Sequence, residues 1–192
     1  YKRQVKSNTI LSNIQLFDHP NYFRKDLYTS MNTLTYENLH ETKKHVSIQF
    51  PYNTYLCSIP LDFTQVPLHW HNDVEIIVIK KGCGIISVDT KPRVVKAGDI
   101  VLVRPGQLHS ISQHGKDCME YENILFQTSL LYSADSDPRT VGYFQPYFSL
   151  EYELPWLFDD TCFFHEELSS CIDAIDDLCS NCLLYTSDAA DD

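Results

Sequence analysis

Pro67-Leu68-His69-Trp70-His71-Asn72-Asp73-Val74-Glu75-Ile76-Ile77-Val78-Ile79, followed by Lys80-Lys81-Gly82, is the stretch whose reading decides this chain. His69–Ile79 is predicted as the longest strand. Side chains alternate faces along a strand, so His69, His71 and Glu75 point to one side. Asp73 shares their parity and, at the loop side, is read as solvated. Trp70 has the opposite parity and is assigned to core or interface. Two imidazoles and a carboxylate converging on one side offer neutral nitrogen and anionic oxygen to a divalent metal. His109, after the turn Pro105-Gly106-Gln107-Leu108, can swing in from a neighbouring strand as a fourth ligand. The same four residues suit two other roles: a polar pocket floor that hydrogen-bonds a small effector, or a plain hydrogen-bonded network. Buried imidazoles and carboxylates need partners, so each reading expects contacts among the four.

Outward from this stretch the pattern is of short strands and tight turns. Five of the six glycines lie between Gly82 and Gly115, separated by β-branched and apolar runs. Strands are predicted at 53–59, 69–79, 85–89, 93–96, 100–103, 111–113 and 120–127. Turns fall at Gly82-Cys83-Gly84, at Asp89 to Pro92, at Ala97-Gly98-Asp99 and at Pro105-Gly106. Pro92, which lacks a donor, belongs in a turn or at a sheet edge. Regular spacing without intervening helices argues for an antiparallel barrel or sandwich.

Past residue 135 the pattern changes. Pro138, Pro146 and Pro155 punctuate an aromatic stretch containing Tyr143, Phe144, Tyr147, Phe148, Tyr152, Trp156 and Phe158. At this density the rings are read as a core and interface cluster rather than a sugar platform. Leu168, Cys171, Ile172, Ile175, Leu178 and Cys179 then recur at helical spacing, with Asp159, Asp160 and Thr161 as candidate caps. That apolar stripe would pack on the barrel or on a partner helix.

Composition narrows the function. The formal charge is −11, from 15 basic and 26 acidic residues. Binding to a phosphate backbone needs clustered Lys and Arg, so this chain by itself is a poor nucleic-acid binder. No apolar run approaches the roughly 20 residues of a membrane span, and no secretory signal is visible; a cytoplasmic address is the expectation. The seven cysteines are scattered and read as small core residues rather than a disulfide framework. His165-Glu166-Glu167 lacks a zinc-protease histidine at position 169, which is Ser169. Gly82-Cys83-Gly84 lacks the rest of a dinucleotide fingerprint. Neither a P-loop nor a Gly-x-Ser-x-Gly elbow is present. His40, His45 and His114 have no partner pattern and are read as surface residues; Arg104 is read as a surface ion-pair former.

His69, His71, Glu75 and Gly82 fit every spacing of the first motif of the cupin superfamily, and Gly98 and His109 fit the second. Pro105 and Gly106 are adjacent here, where the general motif separates them, and Gln113 replaces its closing Asn. Both departures weaken a catalytic reading. Pro67-Leu68-His69-Trp70-His71, Lys96-Ala97-Gly98-Asp99 and Pro105-Gly106-Gln107-Leu108-His109-Ser110 resemble the N-terminal sensor domain of AraC/XylS-type transcription regulators. The resemblance spans roughly residues 45–181. It implies an all-β cupin (double-stranded β-helix or jelly-roll barrel) with a C-terminal α-helical dimerisation segment. It also implies a small effector, often a sugar, contacting His69, His71, Glu75 and His109, a homodimer, and DNA binding through helix-turn-helix motifs outside these residues. No catalytic residue is assigned and no cofactor is required, while a divalent metal (Zn, Ni, Mn or Fe) on the same four residues is one reading. The alternative function is a metal-dependent cupin enzyme, a dioxygenase or sugar isomerase.

The expected organisation is an N-terminal extension or arm at 1–44, a sensor barrel at 45–135, and an aromatic linker with its amphipathic helix at 136–181. Met31 resembles a family start, and residues 1–30 would then be upstream read-through or an extension. Residues 182–192 resemble a translated sequencing adapter. Without them the balance is 15 basic to 23 acidic residues, a charge of −8, and the CxxC formed by Cys179 and Cys182 is an accident of the junction.

Overall fold

The apolar run after His71 becomes one long strand that serves two sheets. The computed structural model describes residues 33–46, 51–131, 142, 144–148 and 154–188, with side chains in the last helix as far as Leu178. The expectations for residues 1–30 and Met31, for Tyr143 and Tyr152, and for 189–192 lie outside the described residues. The strands are β1 (Tyr52–Ile59), β2 (Gln65–His69), β3 (Val74–Val88), β4 (Lys91–Lys96), β5 (Ile100–Val103), β6 (His109–Gln113), β7 (Met119–Phe126) and β8 (Leu157–Phe158). The helices are α1 (Thr33–Glu37), α2 (Gln145–Phe148) and α3 (His165–Asp188).

The first half of β3 pairs antiparallel with β5 and β7, and the order β1-β7-β3-β5-β8 makes one sheet. Its second half pairs with β4 and β6, with β2 beyond β6. Of the barrel or sandwich that the strand spacing allows, this is the all-β jelly-roll barrel that the resemblance implies. The crossover between sheets lies where the register against β7 slips between Ile79 and Lys81. Gly82 sits beside the slip at φ 72°. A Cβ there would overlap the Cys118 carbonyl oxygen, so the position requires glycine.

Alternate residues of β3 face opposite ways and both faces are covered. Ile77 and Ile79 enter the barrel interior with Ile59, Ile86, Val88, Val101, Ile111 and Tyr121, all buried. Ile76 and Val78 face outward against a second cluster formed by Ile100, Ile124 and Ile172 of α3. Each such aliphatic side chain contributes roughly 1.5–3 kcal/mol relative to remaining in water. The stripe of α3 therefore packs on its own barrel through Leu168 and Ile172, while Cys171 and Leu178 stay exposed. His165 also donates to the Gly98 carbonyl at 2.8 Å. Among the described residues no helix is long and apolar enough to cross a membrane.

Several expectations are corrected. The strand predicted at 69–79 is broken: β2 ends at His69 and β3 begins at Val74. Trp70 is drawn out of line because its amide donates to the Leu39 carbonyl, while the Glu41 amide donates to the Trp70 carbonyl. Gly82-Cys83-Gly84 does not end a strand but lies within β3. β2, with Pro67 inside it, was not expected; among the described residues it is an edge strand paired only with β6, where a missing donor is tolerated. The last helix starts at His165 rather than beside its candidate caps, because Asp159 accepts from the Thr161 amide and hydroxyl and forms a local turn.

Candidate functional site

Three strand ends meet at one mouth of the barrel. His69 closes β2 and pairs with His109, which opens β6. Glu75 lies on the inward parity of β3, one turn of the pleat above Ile77. His71 lies in the break between β2 and β3, and its carbonyl accepts from the Gly106 amide at 2.8 Å. Pro105-Gly106 forms the turn that delivers His109, with Gly106 at φ 75° and the Gln107 amide donating to the Arg104 carbonyl.

The ligand nitrogens of His69, His71 and His109 lie within 4.8 Å of one another. Glu75 touches two of the three: its Oε2 is 2.9 Å from His71 Nε2 and 3.0 Å from His109 Nε2. His71, Glu75 and His109 are buried, and His69 is mostly covered. All four residues singled out from the motif spacing are therefore brought together.

Hydrogen bonding fixes how these rings present themselves. Each Nδ1 faces a backbone carbonyl: His69 that of Pro67 at 2.8 Å, His71 that of Asp73 at 3.0 Å, and His109 that of Gln107 at 2.9 Å. A carbonyl only accepts, so each Nδ1 carries a proton and each Nε2 is left to face the cluster. His109 Nε2 is out of line for a hydrogen bond with Glu75 and is a buried atom without a hydrogen-bond partner. Burial and the neighbouring His109 hold His69 below the usual histidine range. Burial also disfavours charge on His71, but the hydrogen bond and charge of Glu75 outweigh it and raise His71. Burial disfavours charge on Glu75 too, yet His109 and His71 hold its carboxyl well below the usual carboxylate range. The buried carboxylate of Glu75 thus calls for positive charge beside it, from the neighbouring imidazoles or from a cation. Three outward-pinned imidazoles and a carboxylate, with one orphaned nitrogen, are a donor set that fits a divalent metal.

A strap of residues before the barrel covers the mouth. Tyr36 of α1 stacks on Trp70 with ring centroids 4.7 Å apart, and its hydroxyl donates to the Gly106 carbonyl at 2.8 Å. Trp70 Nε1 donates to the Tyr36 carbonyl at 2.8 Å. Glu41 reaches His45 Nε2 at 2.7 Å and lies 3.7 Å from His69 Nε2.

The family model for the AraC-like ligand binding domain matches residues 62–160, which is 99 of the 192 residues. The chain belongs to this family. The chain is also 27% identical over 128 residues to an uncharacterized HTH-type transcriptional regulator, YdeC, of Bacillus subtilis; the match covers 64% of this chain and 41% of that protein. The chain thus spans about two fifths of the length of that curated relative. Among solved structures, a cupin protein from Bacteroides fragilis is 23% identical, covering 44% of this chain and 72% of that one at a TM-score of 0.39. A cupin 2 conserved barrel protein from Salinispora arenicola is 19% identical, covering 47% and 75% at 0.38. At these scores the likenesses add nothing to the fold assigned from the strands.

Other residues of the AraC-like domain depart from expectation. His45 is no surface residue: it is mostly covered, bonded to Glu41, and its ring lies 6.0 Å from that of His71. The His40 ring lies 4.2 Å from that of Trp70 and is tilted against it by 33°, while His114 is at the surface as expected but is paired with Asp117. Arg104 is buried rather than at the surface, donating to Gln107 Oε1 and to the Tyr147 carbonyl. Gln107 in turn donates to Asp89 at 2.8 Å, so a buried polar chain braces the turn that carries His109. Asp73 is half-buried, and Trp156 packs against the interior cluster. Glu41 and His45 were missed because nothing in their local spacing points across the barrel mouth.

Proposed function

We propose that this AraC-like domain is the sensor of a transcription regulator and binds a small hydroxylated, sugar-like effector at the His69, His71, Glu75 and His109 mouth. The observation that carries the reading is the pinning of all three Nδ1 atoms, which leaves three Nε2 atoms and a buried carboxylate turned toward one point. Those four residues would hold a divalent cation of the Zn, Ni, Mn or Fe type. Such an ion, when bound, would act as a Lewis acid toward effector oxygens. Glu75 supplies the negative charge of the site, and the backbone carbonyls of Pro67, Asp73 and Gln107 fix the imidazole orientations. Glu41 and His45 close the mouth from the strap, which Tyr36 anchors on Trp70. Occupancy that favours one arrangement of the strap over another would make a signal, since an effector shifts an equilibrium only by binding its two states unequally.

In this reading the regulator is cytoplasmic, pairs as a homodimer through the exposed face of α3, and contacts DNA through a region outside these residues. The acidic balance of the chain and the likeness to an HTH-type regulator support that division. The same donor set would also serve a metal-dependent enzyme; turnover of a substrate by the metal-loaded protein would favour that second reading. The primary test is a thermal-shift screen of sugars and hydroxy acids, with and without added divalent metal. A hit is expected to raise the melting temperature of the wild type and to lose its effect in Glu75→Gln. A hit whose effect survives both Glu75→Gln and His69→Ala would remove this mouth from the effector site.

A further inference from the structure

The end of the barrel opposite the histidine mouth carries a second convergence of ligand side chains. β6 runs from His109 at the mouth to Gln113, and the return half of β3 pairs Val88 with His109 but Gly84 with Gln113. Cys83 and the turn after Gln113 therefore lie about 14 Å along the strands from the mouth. That turn, His114-Gly115-Lys116-Asp117, is closed by the Asp117 amide donating to the His114 carbonyl at 2.9 Å, with Gly115 at φ 58°. Gln113 Nε2 braces it by donating to the Asp117 carbonyl at 3.0 Å.

Across the turn, three different donors face one another. Cys83 Sγ donates to Asp117 Oδ2 at 3.2 Å, His114 Nδ1 is 3.0 Å from the same oxygen, and Cys83 Sγ is 3.9 Å from His114 Nδ1. All three ligand atoms lie within 4.8 Å of one another. Ligands bound to tetrahedral zinc at its usual bond lengths are about 3.3–3.6 Å apart. The observed triangle brackets that range, so a cation enters after shifts of a few tenths of an ångström. Thiolate, imidazole and carboxylate together are a zinc-type donor set. His114 and Asp117 are about half exposed, which leaves a fourth position to solvent.

We propose that Cys83, His114 and Asp117 form a second, solvent-facing site for a zinc-class divalent cation, separate from the histidine mouth. The proton that the Cys83 thiol now shares with Asp117 is released to solvent when the cation binds. The cation ties the β6–β7 turn to β3 just past its crossover. This site offers sulfur and the mouth does not, so the two are distinguishable.

The test is a cobalt(II) titration of the metal-stripped full chain, followed by the thiolate-to-cobalt charge-transfer absorption. Added cobalt(II) is expected to build the band to saturation and zinc to bleach it. Cys83→Ser is expected to abolish the band. Asp117→Asn and His114→Ala are expected to weaken cobalt affinity at least about tenfold, the scale at which even indirect partners of a metal matter. His69→Ala is expected to leave the band intact, whatever becomes of the mouth. Circular dichroism checks that each variant is folded. The proposal is overturned if folded wild type shows no band, if the band survives Cys83→Ser, or if Asp117→Asn binds cobalt as tightly as wild type.

Discussion

The two ends of this barrel gather similar chemistry in opposite environments. At the mouth, three imidazoles surround a buried carboxylate, and each ring is held by a carbonyl of its own segment. At the far end, a thiol, an imidazole and a carboxylate sit on a solvated turn and hold one another. Burial makes the first cluster a structural element as well as a binding site, because a buried polar group without a partner is costly. Exposure makes the second almost free of structural consequence.

The largest expected effect follows from that difference. His109→Ala leaves a cavity at the buried mouth and removes the ring's bond to the Gln107 carbonyl, and is expected to cost about 3 kcal/mol of unfolding free energy. His114→Ala at the far end is expected to change stability by less than about 0.5 kcal/mol. Urea denaturation of both variants measures the contrast, and equal losses would break it. An intermediate effect is expected at the strap. Tyr36→Ala removes the stack on Trp70 and the bond to the Gly106 carbonyl, at a cost of about 1–2 kcal/mol. Amide exchange should quicken at residues 35–46 and at Trp70 while the far-end turn is unaffected.

The smallest effect is in acid. The hydrogen bond from His45, working against partial burial, holds Glu41 below its ordinary range. A carboxyl lowered on folding stabilises the folded state above its unfolded value, near 4.3, and this contribution is lost as pH falls through the folded value. Glu41→Gln should therefore cost about 0.5 kcal/mol near pH 7 and nothing near pH 2. Asp117 is also held down, first by Cys83 and then by His114, but it is solvated and its titration reports on the turn alone. A stability gap between wild type and Glu41→Gln that widens in acid would contradict this assignment.

Most of the mouth was legible because its residues obey local rules. The spacing of His69, His71, Glu75 and His109 marked all four. Pro105-Gly106 and Gly98 marked turns that only a residue tolerating positive φ completes. The strand Ile100–Val103 came out with its observed bounds. The parity argument reached the right cluster by an incomplete route, since His69 and His71 do not share a strand with Glu75. What breaks that strand is the pairing of Trp70 with Leu39 and Glu41, some 30 residues upstream, and no local pattern encodes it. Glu41, His45 and the burial of Arg104 were hidden for the same reason: each depends on a segment distant in sequence. The far-end cluster was invisible because Cys83 and the His114 turn become neighbours only once β3 crosses between sheets.

The central claim is that the mouth presents three Nε2 atoms and a carboxylate as one donor set. Long-range proton–nitrogen correlation spectra of the histidine rings test it most directly. The account predicts Nδ1-protonated rings for His69 and His109 in the metal-free protein, and a shift of the Nε2 signals of His69, His71 and His109 on adding zinc. An Nε2-protonated ring at His69 or His109, or three Nε2 signals unmoved by zinc, would contradict it.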